Sequence, residues 1–155
     1  MFIVKSPFHH FNTNNTMKNL TIIGLTPFEK PDVNLIIKLY EADAFPVLSL
    51  GHELVIAQES LDLLDKKDIP YYGIHISNEK PISLNISEKV QFAIQPIQIP
   101  VNPLWNLPII YQVSNLEDAR KAEELGAKGI IIKGNEAGGL IGYESTFILF
   151  QRIIK

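Results

Sequence analysis

The stretch Lys133-Gly134-Asn135-Glu136-Ala137-Gly138-Gly139 decides how this chain is read, with Gly129-Ile130-Ile131-Ile132 before it and Thr146-Phe147-Ile148-Leu149-Phe150-Gln151-Arg152-Ile153-Ile154-Lys155 after it. Consecutive isoleucines without polar alternation suit a short strand in a parallel sheet covered on both faces. The later run reads as a helix, with Ser145 or Thr146 placed to cap it. A strand, a glycine loop and a helix start leave backbone N–H groups at a positive helix end, where a phosphate or another anion is stabilised. Gly138 and Gly139 carry no Cβ, so a flat ligand can approach the main chain closely. The same pair would also serve merely to turn the chain.

Upstream, strand and helix patterns alternate. Leu20 to Thr26 reads as a first strand, ended by Pro27. Pro31-Asp32 opens an amphipathic helix with Val33, Ile36, Ile37 and Tyr40 on one face. Phe45 to Leu50 is a second strand, stopped at Gly51. Leu54, Ala57, Leu61 and Leu64 keep helical spacing in the next segment, which leaves through Asp65-Lys66-Lys67-Asp68. Pro70 to Ile76 is a third strand, and this alternation calls for parallel strands with right-handed crossovers.

Val90 to Ile94 reads as a fourth strand, after a connection (Ser77 to Lys89) without helical period. Between Gln95 and Leu107, Pro96, Pro100 and Pro103 exclude a regular helix, and Trp105 reads as a hydrophobic plug. Pro108 to Val113 is the fifth strand. Ser114-Asn115-Leu116-Glu117 has the spacing of a capping box, the helix it opens carries Leu116, Ala119, Ala122 (or Glu123) and Leu125, and Gly126 stands at its C′ position. Gly129 to Lys133 is then the sixth strand.

With 155 residues the chain is one domain of ordinary size. It is 46% hydrophobic and 20% charged, a balance that buries a core and argues against disorder. Its net charge is −3 and its pI about 5.8, and no Lys/Arg-rich block occurs, so nucleic acid and anionic membranes are poor partners. The absence of cysteine excludes disulfides, thiolate metal sites and a cysteine nucleophile. No apolar run approaches the ~20 residues that span a bilayer, and no signal-peptide pattern opens the chain; the cytosol is the expected compartment. Residues 1–19, which hold Asn12-Thr13-Asn14-Asn15-Thr16, read as a flexible leader in which Met17 offers a second start.

Residues 108–155 resemble a known family. Ile109 to Val113, the run Asn115-Leu116-Glu117-Asp118-Ala119-Arg120-Lys121-Ala122-Glu123-Glu124-Leu125-Gly126-Ala127, and the Lys133 to Gly139 loop look like strand five to loop six of nitronate monooxygenase-like flavin barrels. The variant found at the start of some bacterial polyketide synthases is most similar, sharing the loop and the following Gly142-Tyr143-Glu144-Ser145-Thr146-Phe147 run. Leu20 to Gly51 fits the family's first βαβ unit more loosely. The resemblance implies a TIM barrel holding FMN at the C-terminal ends of its strands. It places the backbone of Gly134, Gly138 and Gly139 near the flavin, Glu136 as the brace of the loop, and Thr26 at the mouth of strand one. Where nitronate monooxygenases carry a histidine base after the glycine pair, this chain has Leu140, which cannot move a proton, so no catalytic residue is assigned. Barrels hold FMN phosphate through the loops after strands seven and eight, and this chain stops in the helix after strand six.

Length points the same way, because eight βα units take ~250 residues and not fewer than ~200. The expected fold is therefore α/β, an incomplete TIM-barrel-like (β/α) parallel sheet of about six strands over residues 20–155. Such a remnant leaves a sheet edge unpaired, so a partner polypeptide or self-association that completes the barrel, or else a rearranged, more open sheet, is expected.

Among the remaining candidates, Lys133 ends strand six, where it can meet a phosphate or a flavin. His52 follows Gly51 near the ligand face and His75 lies within strand three; each is an acid or base on one reading, a helix cap or a core imidazole on the other. His9-His10 lacks further ligands for a metal. G-x-S-x-G, H-E-x-x-H and Walker patterns are absent. Two function classes follow. One is an FMN-binding, oxidoreductase-like flavoprotein domain tied to polyketide biosynthesis. The other is a non-catalytic scaffold or docking fragment. A sugar-phosphate barrel fragment, using the same loop for its small-molecule anion, is a third.

Overall fold

The computed structural model describes residues 22–77, 83–139 and 141–155. Ten elements occur among them: β1 (Ile23–Leu25), α1 (Val33–Glu41), β2 (Phe45–Ser49), α2 (Leu54–Asp65), β3 (Tyr72–His75), β4 (Val90–Pro96), β5 (Ile109–Val113), α3 (Leu116–Glu124), β6 (Gly129–Ile132) and α4 (Thr146–Ile153). The strands follow one another in sheet order β1-β2-β3-β4-β5-β6. Each pair of described register is parallel: Ile23 with Phe45, Val47 with Gly73, and Ile110 with Gly129. This is the expected α/β architecture, an incomplete barrel-like parallel sheet of six strands, with β1 and β6 at its ends. The leader, including His9 and His10, lies outside the described residues.

Two compact units divide the chain. One comprises Ile94–Pro100 and Pro108–Lys155, the other the described residues up to Ala93 together with Val101–Leu107.

In the β1–β3 unit, Asp32 caps α1 by accepting the Leu35 N–H at 2.9 Å, and Ile36 is fully buried beneath the helix. A Cβ on Gly24 would meet the Leu39 side chain of α1, which identifies the sheet face that this helix covers. All five residues of β2 are buried, as a strand covered on both faces requires. Helix α2 turns Ala57, Leu61 and Leu64 inward. Gly73 makes room for the Phe92 ring, which a Cβ there would meet at 2.8 Å; Phe92 stacks on Phe45 at 5.0 Å and Phe45 on Tyr71 at 5.1 Å. Trp105 is buried, and its indole N–H donates to the Leu84 carbonyl at 3.2 Å, so it plugs this core as expected.

The β5–β6 unit closes around Ile97, Tyr111, Val113, Ala122, Ile132 and Leu149. Its first helix begins one residue later than the capping-box reading placed it. Asn115, not Ser114, is the N-cap of α3; its Oδ1 accepts the Asp118 N–H at 2.8 Å while its Nδ2 donates to Asp118 Oδ2 at 2.9 Å. Asparagine caps as well as serine and also has an acid three residues on, so spacing alone did not separate the two. Gly126 ends the helix at φ +75°, the left-handed turn that favours glycine.

Candidate functional site

The loop leaving β6 is built from residues that hold one another. Lys133 extends the ladder through its N–H to the Val113 carbonyl at 2.9 Å, and its carbonyl accepts from Gly142 N at 3.2 Å. Asn135 N donates to the Glu144 carbonyl at 2.9 Å and Ala137 N to the Gly134 carbonyl at 3.1 Å. The buried N–H of Gly134 donates to Thr146 Oγ1 at 2.9 Å. Gly134 is glycine for the fold's own reason, since a Cβ there would collide with the main chain of Ser145 and Thr146.

Glu136 reaches back to the start of α4, where its two carboxylate oxygens accept the Thr146 N–H at 2.9 and 3.1 Å. Ser145 is the N-cap and accepts from Ile148 N at 3.4 Å. The Thr146 side chain, and then the main-chain N–H groups of Glu136 and Thr146, hold the Glu136 carboxyl below the usual carboxylate range. Two of the amides at the positive end of α4, those of Thr146 and Ile148, are therefore engaged by the chain's own Glu136 and Ser145.

Lys133 and the glycine pair lie together at the other side of the loop. Lys133 is 8% exposed, and burial lowers its ammonium below the ordinary lysine value. Its Nζ lies 3.4 Å from the position a Cβ on Gly139 would take, so the amine sits beneath that glycine. Gly139 adopts φ +72°, which favours glycine whatever binds there. Gly138 is exposed, and nothing lies within 4 Å of its Cβ position. A flat, electron-rich group can thus approach the pair with a cation behind it. Leu140 lies outside the described residues.

Five of the six expected contact residues, Lys133, Gly134, Glu136, Gly138 and Gly139, therefore share one loop. Thr26 belongs to the β1–β3 unit. It follows β1 directly, is buried, donates its N–H to the Val47 carbonyl at 3.0 Å and accepts Ser49 N on its hydroxyl at 2.8 Å. His52 is exposed after Gly51, whereas His75 is buried with its Nδ1 3.2 Å from Ser49 Oγ. Ser49 escaped sequence reasoning, although a signal existed: it is the one hydroxyl in the apolar run Phe45-Pro46-Val47-Leu48-Ser49-Leu50.

A groove of about 360 Å³ between α3 and α4 lies at the other end of β6, beside Gly129 and Ile130, and is lined by Arg120, Glu123, Arg152 and Lys155 among others. Among the described residues no cluster of three or more metal-ligating side chains occurs, and no helix is long and apolar enough to cross a membrane. Neither a family model, nor a curated protein, nor a solved structure matches this chain, so the likeness to nitronate monooxygenase-like barrels rests on the quoted residues alone.

Proposed function

We propose that this chain is an FMN-binding, nitronate monooxygenase-like domain of the kind associated with polyketide synthases, in which the glycine loop receives the flavin ring and not its phosphate. The observation that carries this reading is the Lys133 amine beneath Gly139. Lys133 would meet the electron-rich edge of the ring, and Gly138 and Gly139 would let the ring lie close to the main chain. Bound flavin supplies hydride and electron transfer, which no side chain can. Glu136 and Ser145 already cap α4, so the phosphate would have to be held elsewhere, for instance by a polypeptide that completes the barrel. Weak, substoichiometric flavin in the purified chain follows from that gap.

Titration with FMN, followed by quenching of flavin fluorescence, tests the reading. Saturable binding that Lys133→Met removes supports it, and no saturable binding overturns it. A yellow preparation with stoichiometric FMN and oxygen-dependent turnover of an alkyl nitronate would overturn the expectation of a weak site.

One observation favours the non-catalytic docking role. Helix α4 leaves Phe147 61% and Ile148 44% exposed beside the last strand of the sheet, an apolar flank suited to another polypeptide. If docking is the whole function, co-purification with a partner will survive Lys133→Met and fail in Phe147→Asp.

A further inference from the structure

The sheet face under α3 and α4 is closed toward one end of its strands and open toward the other. Tyr111 and Val113 of β5 share that face with Ile130 and Ile132 of β6, because register pairs Tyr111 with Ile130 and Val113 with Ile132. Val113 and Ile132 are buried, in one core with Ala119, Ala122 and Leu149. One pleat earlier Ile130 is only partly buried, and it lines the groove of about 360 Å³ between the two helices.

Small side chains leave this space unfilled. From α3 the stripe Leu116, Ala119, Arg120 and Glu123 lines it, at the i, i+3, i+4, i+7 spacing of a single helix face. Ala127 lines it from the turn after α3 and Ile153 from the last turn of α4. Ala119 and Ala127 each reach into it with no more than a methyl. An apolar cavity of about 150 Å³ takes one benzene ring, so the groove has room for a body of about two fused rings.

Four charged side chains stand around these apolar walls: Arg120, Glu123, Arg152 and Lys155. Arg152 already has its anion, since its Nη1 donates to both carboxylate oxygens of Glu144 at 2.6 and 2.7 Å. Arg120 and Lys155 have no ion pair among the described residues, and Glu123 offsets the charge of one of them. The rim thus keeps one positive charge to be matched, on a chain whose net charge is −3. Lys155 follows the C-terminal end of α4, where the helix dipole favours a cation in any case. That reason does not extend to Arg120, which stands in the middle of α3 beside Leu116 and Ala119. A guanidinium in that place suits a carboxylate, whose two oxygens it can bind side by side.

We infer that the α3–α4 groove is a binding site for a hydrophobic monocarboxylate. Its apolar body, of about two fused rings, lies over Ala119, Ala127 and Ile130, and its carboxylate meets Arg120 at the rim. The site lies at the opposite end of β6 from the glycine loop and stands apart from the flavin reading.

The test uses the full chain, with 2-naphthoate as the probe and 2-naphthamide as its uncharged twin. Calorimetric titration gives both affinities, and ¹H–¹⁵N spectra locate the site through the amides of Ala119, Ala127 and Ile130. Naphthoate should bind saturably and about fivefold more tightly than the amide, a difference of ~1 kcal/mol, kept modest by the solvent-exposed rim. Arg120→Gln should bring the two affinities together by weakening naphthoate alone. Ala127→Leu, which fills the groove, should weaken both with the circular dichroism of the wild type retained. Lys121→Gln, an exposed cation of α3 outside the groove, should change neither. If Ala127→Leu does not fold, the Arg120→Gln comparison decides. No saturable binding of naphthoate, equal affinities for the two probes in the wild type, or shifts confined to the glycine loop overturn the proposal. A sedimenting dimer that Ala127→Leu dissociates also overturns it, because a second copy of the chain would then fill the groove.

Discussion

Replacing Thr146 by valine removes the one hydroxyl that serves both Gly134 and Glu136 in the loop's internal bonding. Valine has the shape of threonine and nearly its helix propensity, so neither a cavity nor a weaker α4 should confuse the result. What disappears is the acceptor for Gly134 N–H, now made at 2.9 Å in a buried position, together with the hydroxyl that helps to hold the Glu136 carboxyl. A buried donor left unsatisfied costs about 1–3 kcal/mol, and for a chain of this size each kcal/mol lowers Tm by about 2–4 °C. Thr146→Ser keeps the acceptor and loses a methyl, about 0.8 kcal/mol if fully buried, so it should stand between wild type and Thr146→Val. Urea denaturation at unchanged m-value measures both, and amide exchange at Gly134 reports the bond itself. A Thr146→Val protein within about 0.5 kcal/mol of wild type, with Gly134 exchange still slow, would refute the claim that the loop satisfies its own amides.

Other consequences are open to measurement. The Glu136 carboxyl titrates lower in the folded chain than its ordinary value of 4.5, so the unfolded chain binds the proton more readily. Its contribution is complete above that value and is lost as pH falls through the depressed one; the acid limb of a urea-midpoint profile should flatten in Glu136→Gln. For Lys133 the lowered ammonium value means that stability rises as pH climbs from it toward the ordinary 10.5. Lys133→Met should remove that alkaline rise. Gly73→Ala presses a methyl against the Phe92 ring at 2.8 Å and Val47 at 3.1 Å, and should lose about 1–3 kcal/mol by thermal melt.

The strand-and-helix order was legible because each segment carries its period undiluted. The apolar run of β2, the helix start at Asp32 and the prolines between β4 and β5 act locally, so spacing alone reveals them. What stayed hidden depends on pairs distant in sequence. Nothing in Lys133 to Gly139 tells that Glu136 turns back to cap α4 ten residues on, because the same glycines would serve an open anion site. The Ser49–His75 pair appears only when parallel register sets two strand ends side by side. The α3 cap slipped by one residue for a smaller reason, since Ser114 and Asn115 each precede an acid at the same spacing.

The central claim, that the glycine loop turns a cation toward a flat ring while its helix end is already capped, is tested most directly by comparing FMN with riboflavin. The two ligands differ only in the phosphate, and calorimetric titration of the chain with each gives both affinities. The account predicts saturable binding of both, with dissociation constants within about threefold, a difference under about 0.7 kcal/mol, and loss of both in Lys133→Met. FMN binding tenfold or more tighter than riboflavin, worth about 1.4 kcal/mol for the phosphate alone, would contradict it.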